Sequence, residues 1–290
     1  MSAAFRKIDP ASAHAVDLYA LPIRDRACLR LLNRAGAATS VQLAQLVYGS
    51  LRVTQKHLLG LFRTGLLERI PIADERYGQA EYAYRLSAIA HERLGTGNAP
   101  SPATYLRHTL DTVAAVCALN QTDDREHAPV QIWYTATMTT NILSRFLRPD
   151  SIILVTADAG SVALALEIDE GLTQMRAVRT KLAAYRRPLA SRPNWHLLIV
   201  VPTQLRAEWM LRQVRAVNLG SRASVFTLAE LAESALDTVL QTVAAAQTPG
   251  SLRSLLRPPQ RLLSTRIGSR AWLELLAAGG GETENGALAP

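Results

Sequence analysis

Residues 148–155 read RPDSIILV, residues 163–171 read ALALEIDEG, and residues 195–202 read WHLLIVVP. Short apolar runs of this kind, bounded by turn residues, predict three strands. Asp150 lies at the start of the first strand, and Glu167 and Asp169 lie at the end of the second. Two such strands paired side by side bring their carboxylates together, as a Mg²⁺ or Mn²⁺ site requires. The pattern therefore predicts Asp150 and Glu167 as metal ligands.

The first six elements of this region follow the order α-β-β-β-α-β, and a further helix and strand complete it. They are predicted as a helix over 103–120, strands over 130–135, 150–155 and 163–168, a helix over 171–187, a strand over 195–201, a helix over 204–217 and a strand over 224–227. The run 195–201 is apolar throughout except for His196, which predicts a strand that is buried on both faces. The order matches a restriction-endonuclease-like core, so we predict a nuclease-like α/β domain over residues 103–230.

Catalysis in this core requires two carboxylates to hold the metal and a lysine to stabilise charge and position the attacking water. Asp150 and Glu167 fit the carboxylate positions, but Asp169 stands where the lysine is expected, two residues after Glu167. Asp169 would repel the phosphate or add a third metal ligand. Lys181, on the following helix, is the candidate substitute, and these four residues form the predicted catalytic set. The alternatives are an exposed Lys181 and a solvated turn in which Asp169 and Glu170 lie near a helix N-terminus.

Residues 22–95 predict three short helices followed by a β-hairpin. Pro22 begins the first helix, a hydroxyl at Thr39 can cap the second, and Ser50 can cap the third, which extends to about Arg63. Val53, Leu58, Leu59, Leu61 and Phe62 are its core candidates. Strands near 66–69 and 80–86 flank a turn over 74–79. Three helices and a hairpin are typical of a winged helix-turn-helix, which gives an α+β protein overall.

In a winged helix-turn-helix the third helix enters the major groove of DNA. Its predicted exposed face carries Arg52, Gln55 and Lys56, with Thr54 beside them. Arg and Gln can bind base edges through two hydrogen bonds, whereas Lys suits a phosphate. Arg76, at the tip of the hairpin, is a further candidate for DNA contact. The alternative is a protein-interaction domain on which these residues are ordinary solvated side chains.

Charge is unevenly distributed along the 290 residues. The net charge is +8 and the pI about 9.9, but residues 101–170 carry 4 Lys+Arg against 9 Asp+Glu, while residues 171–270 carry 15 against 4. Residues 1–100 carry 13 Lys+Arg against 8 Asp+Glu, so basic regions flank the acidic middle. This arrangement favours a polyanionic partner such as double-stranded DNA. Only three of the 32 basic residues are lysine (Lys7, Lys56 and Lys181), so a general preference for arginine also contributes to the basic composition.

Length, linker composition, apolar runs and cysteines give the remaining predictions. The length predicts two domains, separated by a Gly- and Pro-rich linker over 96–102. Residues 1–21 are predicted as an N-terminal extension, 231–278 as a basic helical segment and 279–290 as a disordered tail. No signal pattern and no run of about 18 apolar residues occurs, which predicts a cytoplasmic protein that does not enter a membrane. Cys28 and Cys117 are predicted as buried free thiols.

The chain resembles the replication-relaxation proteins encoded on plasmids and mobile elements. The resemblance extends in order over about residues 22–230 and is carried by RDRACLRLL (24–32), LAQLVYGS (43–50), YLRH (105–108), RPD (148–150), LEIDEG (166–171), KLAAY (181–185) and VVPT (200–203). It implies a winged-helix DNA-binding domain joined to a nuclease-like domain, with a role in plasmid replication or its control.

These observations predict a DNA-binding protein of a plasmid or mobile element that acts in replication or its regulation. The winged helix would read DNA, and the nuclease-like domain would serve as a platform for DNA or for a second copy in a homodimer. Two alternatives stay open. One is a Mg²⁺- or Mn²⁺-dependent endonuclease or nickase that uses Asp150 and Glu167, which Asp169 disfavours. The other is a protein-interaction adaptor.

Overall fold

The computed structural model describes residues 15–72, 82–95, 105–120, 130–135, 143, 147–157, 160–192 and 194–235. Within them the chain forms a mixed α/β protein with one three-stranded and one five-stranded sheet. It divides into two compact units, the first extending to Leu110 and the second beginning at Asp111. The predicted linker over 96–102, the turn with Arg76, residues 236–278 of the basic segment and the tail over 279–290 lie outside the described residues.

The first unit is built of short helices and a small antiparallel sheet. Its elements are α1 (Ile23–Ala35), β1 (Ala38–Thr39), α2 (Ser40–Leu43) with a π-helical continuation (Ala44–Tyr48), α3 (Leu51–Arg63), β2 (Leu67–Pro71), β3 (Tyr82–Leu86) and α4 (Ala88–Arg93). The strand order is β1-β3-β2, and both pairings are antiparallel. Apart from the two-residue β1 and the final α4, the observed order of this unit is therefore three helices followed by a β2–β3 pair.

Local sequence signals explain where these helices begin. The Thr39 hydroxyl accepts a hydrogen bond from the Gln42 backbone N–H at 3.2 Å, and the Gln42 side chain accepts one from the Thr39 N–H at 2.9 Å. This reciprocal pair satisfies two backbone donors that a helix start leaves without partners, and the predicted cap at Thr39 is confirmed. On α1, Ala27, Leu31 and Leu32 are buried and form its apolar stripe.

The prediction for α3 was wrong at three positions. Val53, expected in the core, is exposed, whereas Thr54, expected on the surface, is fully buried. The helix turns about 100° per residue, so the buried face follows Thr54, Leu58 and Leu61 and leaves Val53 outside. The Ser50 side chain makes no capping bond; its carbonyl oxygen instead accepts from the Thr54 hydroxyl at 2.7 Å.

The second unit contains the five-stranded sheet and the helices that cover it. Its elements are the C-terminal part of α5 (Leu106–Asn120), β4 (Val130–Thr135), β5 (Ser151–Ala157), β6 (Gly160–Ile168), α6 (Met175–Ala190), β7 (Trp195–Val201), α7 (Gln204–Ala216), β8 (Ala223–Thr227) and α8 (Leu228–Glu230) with a π-helical continuation (Leu231–Ala235). The strand order is β4-β5-β6-β7-β8. Antiparallel pairing from β4 to β6 gives way to parallel pairing from β6 to β8. The predicted order α-β-β-β-α-β is confirmed.

Helices α6 and α7 pack on one face of this sheet. All seven residues of β7 are buried, as predicted. The core on that face includes Ala163 and Ala165 of β6 together with Leu182 and Tyr185 of α6. Since side chains alternate along a strand, Glu167 projects toward the same face as Ala163 and Ala165. Met175 is half exposed, because α6 begins at this residue, one turn before its first buried position.

Two further features concern the cysteines and the helices. Cys28 and Cys117 are buried free thiols, and burial raises the pKa of the Cys28 thiol to about 12. Among the helices that the structure describes, none is long and apolar enough to cross a membrane.

Candidate functional site

Glu167 is the centre of the predicted cluster in the second unit. It lies near the end of β6 opposite Ile199 of β7, and only 6% of its surface is exposed. A buried carboxylate requires hydrogen-bond partners, because it loses its hydration. The Tyr185 hydroxyl donates to one oxygen and the Lys181 ammonium to the other. The four-residue spacing of Lys181 and Tyr185 on α6 places both donors over the same strand.

Burial dominates the electrostatics of this cluster. It raises the pKa of Glu167 to about 8, with a further increase from the negative charge of Asp150, while Lys181 and Tyr185 act in the opposite direction. For Lys181, burial lowers the pKa, but the carboxylates of Glu167 and Asp150 outweigh it and the net shift is upward. Lys181 therefore stays an ammonium at neutral pH. About half of its side chain (49%) remains exposed to solvent.

Asp150 joins the cluster through the register of the β5–β6 hairpin. Ser151 pairs with Leu166, so the residue before β5 lies beside the end of β6. Asp150 Oδ2 accepts a hydrogen bond from the Ile168 backbone N–H at 2.8 Å. The structure therefore brings together three of the four predicted catalytic residues, namely Asp150, Glu167 and Lys181.

Asp169 has a different partner. Arg206, on the first turn of α7, donates to its two carboxylate oxygens, from Nε at 2.5 Å and from Nη2 at 3.1 Å. The same guanidinium lies 4.0 Å from the centre of the Trp209 ring. Asp169 thus fixes the start of α7 and does not cap α6, whose N-cap position is Gln174. Sequence reasoning missed the role of Arg206, because its only signal is a position shortly after β7.

Whether a divalent metal ion fits this cluster depends on which carboxylate oxygens already accept hydrogen bonds from the protein. Both oxygens of Glu167 and both oxygens of Asp169 accept hydrogen bonds from protein donors. A bound Mg²⁺ or Mn²⁺ would have to displace them, since hard cations bind carboxylate oxygens directly. No group of three His, Cys, Asp or Glu side chains arranged to hold a metal occurs among the described residues. In this arrangement the cluster does not fit a metal ion, and the Lys181 ammonium is the cation beside Glu167.

The second candidate surface is the outer face of α3 in the first unit. Arg52, Gln55 and Lys56 are all exposed, as predicted. Arg63 is also exposed, seven residues or two turns after Lys56, and extends the same basic face; the spacing was a signal that the sequence interpretation did not use. Arg76 lies outside the described residues. The basic face of α3 is therefore defined here as Arg52, Gln55, Lys56 and Arg63.

A buried polar network holds the back of α3. Asp25 Oδ1, on α1, accepts a hydrogen bond from the Tyr48 hydroxyl at 2.8 Å. The same oxygen lies 2.8 Å from His57 Nδ1. The Tyr48 and His57 rings stack with their centres 5.1 Å apart. Burial raises the pKa of the Tyr48 hydroxyl, which keeps it a hydrogen-bond donor. His57 directly follows Lys56, so this network fixes the helix turn that presents Lys56.

These features define a two-unit α/β protein with a basic helical surface in one unit and a buried acid–lysine cluster in the other. The chain belongs to the replication-relaxation family, whose model matches residues 29–198, more than half of its length. Membership associates the protein with plasmid or mobile-element replication or relaxation. Comparison with curated proteins and with solved structures found no match.

Proposed function

We propose that the protein binds double-stranded DNA and acts in the replication of a plasmid or mobile element, or in the regulation of that replication. In this proposal the first unit works as a winged helix-turn-helix and α3 is its DNA-reading helix. The observation that carries the proposal is the basic face of α3, which is exposed along a helix whose opposite face is buried. A DNA partner of this kind implies a cytoplasmic site of action.

The chemistry of the α3 face supports contact with DNA. Arg52 and Gln55 are side chains that can form paired hydrogen bonds with guanine and adenine in the major groove. Lys56 and Arg63 suit phosphate oxygens, which fix the register of a helix on the duplex. The Asp25–Tyr48–His57 network supports the proposal further, because a reading helix must be held rigidly from behind.

The second unit is proposed to serve as a platform for DNA or for a second copy of the chain. A Mg²⁺- or Mn²⁺-dependent nuclease receives less support, because the oxygens of Glu167 and Asp169 are already engaged. A protein-interaction adaptor is the remaining alternative. It would use the same exposed helix without any need for DNA.

Binding of labelled duplex DNA by full-length variants tests the proposal. The α3 variant combines Arg52→Gln, Gln55→Ala and Lys56→Gln. The matched control, Arg176→Gln with Arg212→Gln, also removes two positive charges, but from exposed positions on α6 and α7. We expect the α3 variant to lose at least about tenfold in affinity, since each good base or phosphate contact contributes on the order of 1–3 kcal/mol. Unchanged affinity in a variant with an unchanged melting temperature would favour the adaptor.

A further inference from the structure

A groove in the second unit is lined in part by α6, the helix that also supplies Lys181 and Tyr185 to the acid–lysine cluster. It has a volume of about 570 Å³ and lies between the C-terminal half of α6 and the loop that joins α7 to β8. Its polar lining consists of Arg186, Arg187, Arg222 and Asn218. Three guanidinium groups around one concavity make a site with a strong preference for anions.

Basic residues outnumber acidic ones in the part of the sequence that forms the groove. Residues 171–229 contain ten Lys or Arg residues and a single acidic residue, Glu208. The whole of α6 lacks Asp and Glu. Arg186 and Arg187 are both exposed, so their guanidinium groups are accessible to a ligand. Glu167 and Asp169 pair with Lys181 and Arg206, but basic residues remain in excess in this part of the chain, and their charge acts on a polyanion over about one Debye length, roughly 10 Å.

The floor of the groove is fixed by backbone contacts. Arg222 Nη2 donates to the Leu189 carbonyl at 2.9 Å and to the Arg192 carbonyl at 3.3 Å, near the C-terminal end of α6. Asn218 adopts a positive φ of 57°, and its backbone N–H donates to the Arg215 carbonyl at 3.0 Å. The loop is thus held against α6, and Arg186 and Arg187 project from a rigid helix beside it. Arg222 is thus held in place before a ligand arrives and loses little entropy on binding.

The composition of the groove favours a phosphodiester backbone over a lipid surface. A membrane-binding face combines basic residues with large exposed apolar side chains. None of the large apolar side chains that are exposed among the described residues lines this groove. Leu172 and Met175 are exposed at the opposite end of α6. Arginine binds phosphate through its planar set of N–H donors, and duplex DNA presents phosphates in regular succession.

We infer that the groove lined by Arg186, Arg187, Arg222 and Asn218 is a second DNA-contact site, which binds the phosphate backbone of duplex DNA without reading its sequence. This inference rests on the proposed function and extends DNA binding to the second unit. The site adds affinity equally for all sequences, whereas the α3 face discriminates among them.

Salt-dependent binding of a labelled duplex to the full-length protein tests this inference. The groove variant is Arg186→Gln with Arg187→Gln, and Arg176→Gln with Arg212→Gln is the matched control. We expect the groove variant to lose at least about tenfold in affinity near 0.1 M salt, and the slope of log affinity against log salt to fall by about 2. Arg186→Lys with Arg187→Lys keeps the charges and should retain most of the salt slope.

Some outcomes would overturn the inference, and others separate it from the proposed role of α3. A groove variant that matches the control in affinity and slope would do so. The inference would also fail if the groove variant bound vesicles of anionic lipid less well but bound duplex DNA unchanged. If the α3 variant keeps its affinity and sequence preference while the groove variant loses affinity, the role of α3 fails and the groove site stands. If the α3 variant loses affinity and sequence preference while the groove variant keeps its affinity, the groove site alone is overturned.

Discussion

Among the individual residues, Glu167 shows what sequence reasoning can and cannot reach. The hairpin spacing predicted that Asp150 lies beside Glu167, and the scarcity of lysine directed attention to Lys181. The role of Tyr185 was not predicted, because its position among apolar residues on α6 conceals a hydroxyl that donates to Glu167. The Asp169–Arg206 pair joins residues 37 apart and depends on where α7 begins, which local sequence patterns do not encode.

The raised pKa of Glu167 makes stability depend on pH. Because the folded-state pKa of about 8 exceeds the ordinary value of 4.5, the bound proton contributes stability that is fully present below about pH 4.5 and is lost as pH rises through about 8. Glu167→Gln mimics the neutral acid. We therefore expect the free energy of unfolding of the variant, minus that of the wild type, to increase by roughly 2–4 kcal/mol from pH 5 to pH 9. Urea unfolding measures this difference.

The control for this measurement is Glu208→Gln, which changes an exposed glutamate on α7. Its unfolding free energy should run parallel to that of the wild type across the same pH range. Parallel curves for Glu167→Gln as well would show that the proton on Glu167 does not contribute to stability.

The occupied carboxylates also predict the outcome of a cleavage assay. We expect supercoiled plasmid to stay intact when incubated with the full-length protein and Mg²⁺ or Mn²⁺, because Lys181 and Tyr185 hold both oxygens of Glu167. Gel electrophoresis separates supercoiled, nicked and linear forms. Nicking by the wild type that disappears in Glu167→Ala would establish a metal-dependent nuclease and contradict this expectation.

At the scale of helices and strands, hydrophobic patterns located most of the described elements but not β1 or α4. The apolar runs that became β5, β6 and β7 were unambiguous because buried strands tolerate few polar residues. The errors concern which face of a helix is buried. Val53 and Thr54 are neighbours whose directions differ by about 100°, so a shift of one residue exchanges core and surface. Tertiary packing decides between them, and propensity does not.

The Asp25–Tyr48–His57 network carries a prediction for the first unit. Asp25→Ala removes the acceptor for Tyr48 and the partner of His57, leaving buried polar groups without their bonds. We expect a loss of about 2–4 kcal/mol in the free energy of unfolding, measured by urea denaturation. Asp17→Ala, at an exposed position, is the control and should change stability by less than about 1 kcal/mol. An Asp25→Ala variant as stable as this control would contradict the importance of the network.

For the whole molecule, the uneven charge was the most informative property of the sequence. It predicted a polyanionic partner, and the structure places basic side chains on the outer face of α3 and around the groove beside α6. The groove itself could not be predicted, since it forms where a helix end meets a loop more than thirty residues further along. The family is recognisable from ordered short motifs, each of which is weak by itself.

Sequence recognition by α3 is the central claim, and selection of duplexes from a random library tests it most directly. The full-length wild type and the variant Arg52→Gln/Gln55→Ala/Lys56→Gln would be compared under identical salt. We predict that the wild type enriches a common motif and that the variant loses it while it retains weaker, sequence-independent binding. The same motif enriched by both proteins, or no motif enriched by the wild type, would contradict the assignment of α3 as the DNA-reading helix.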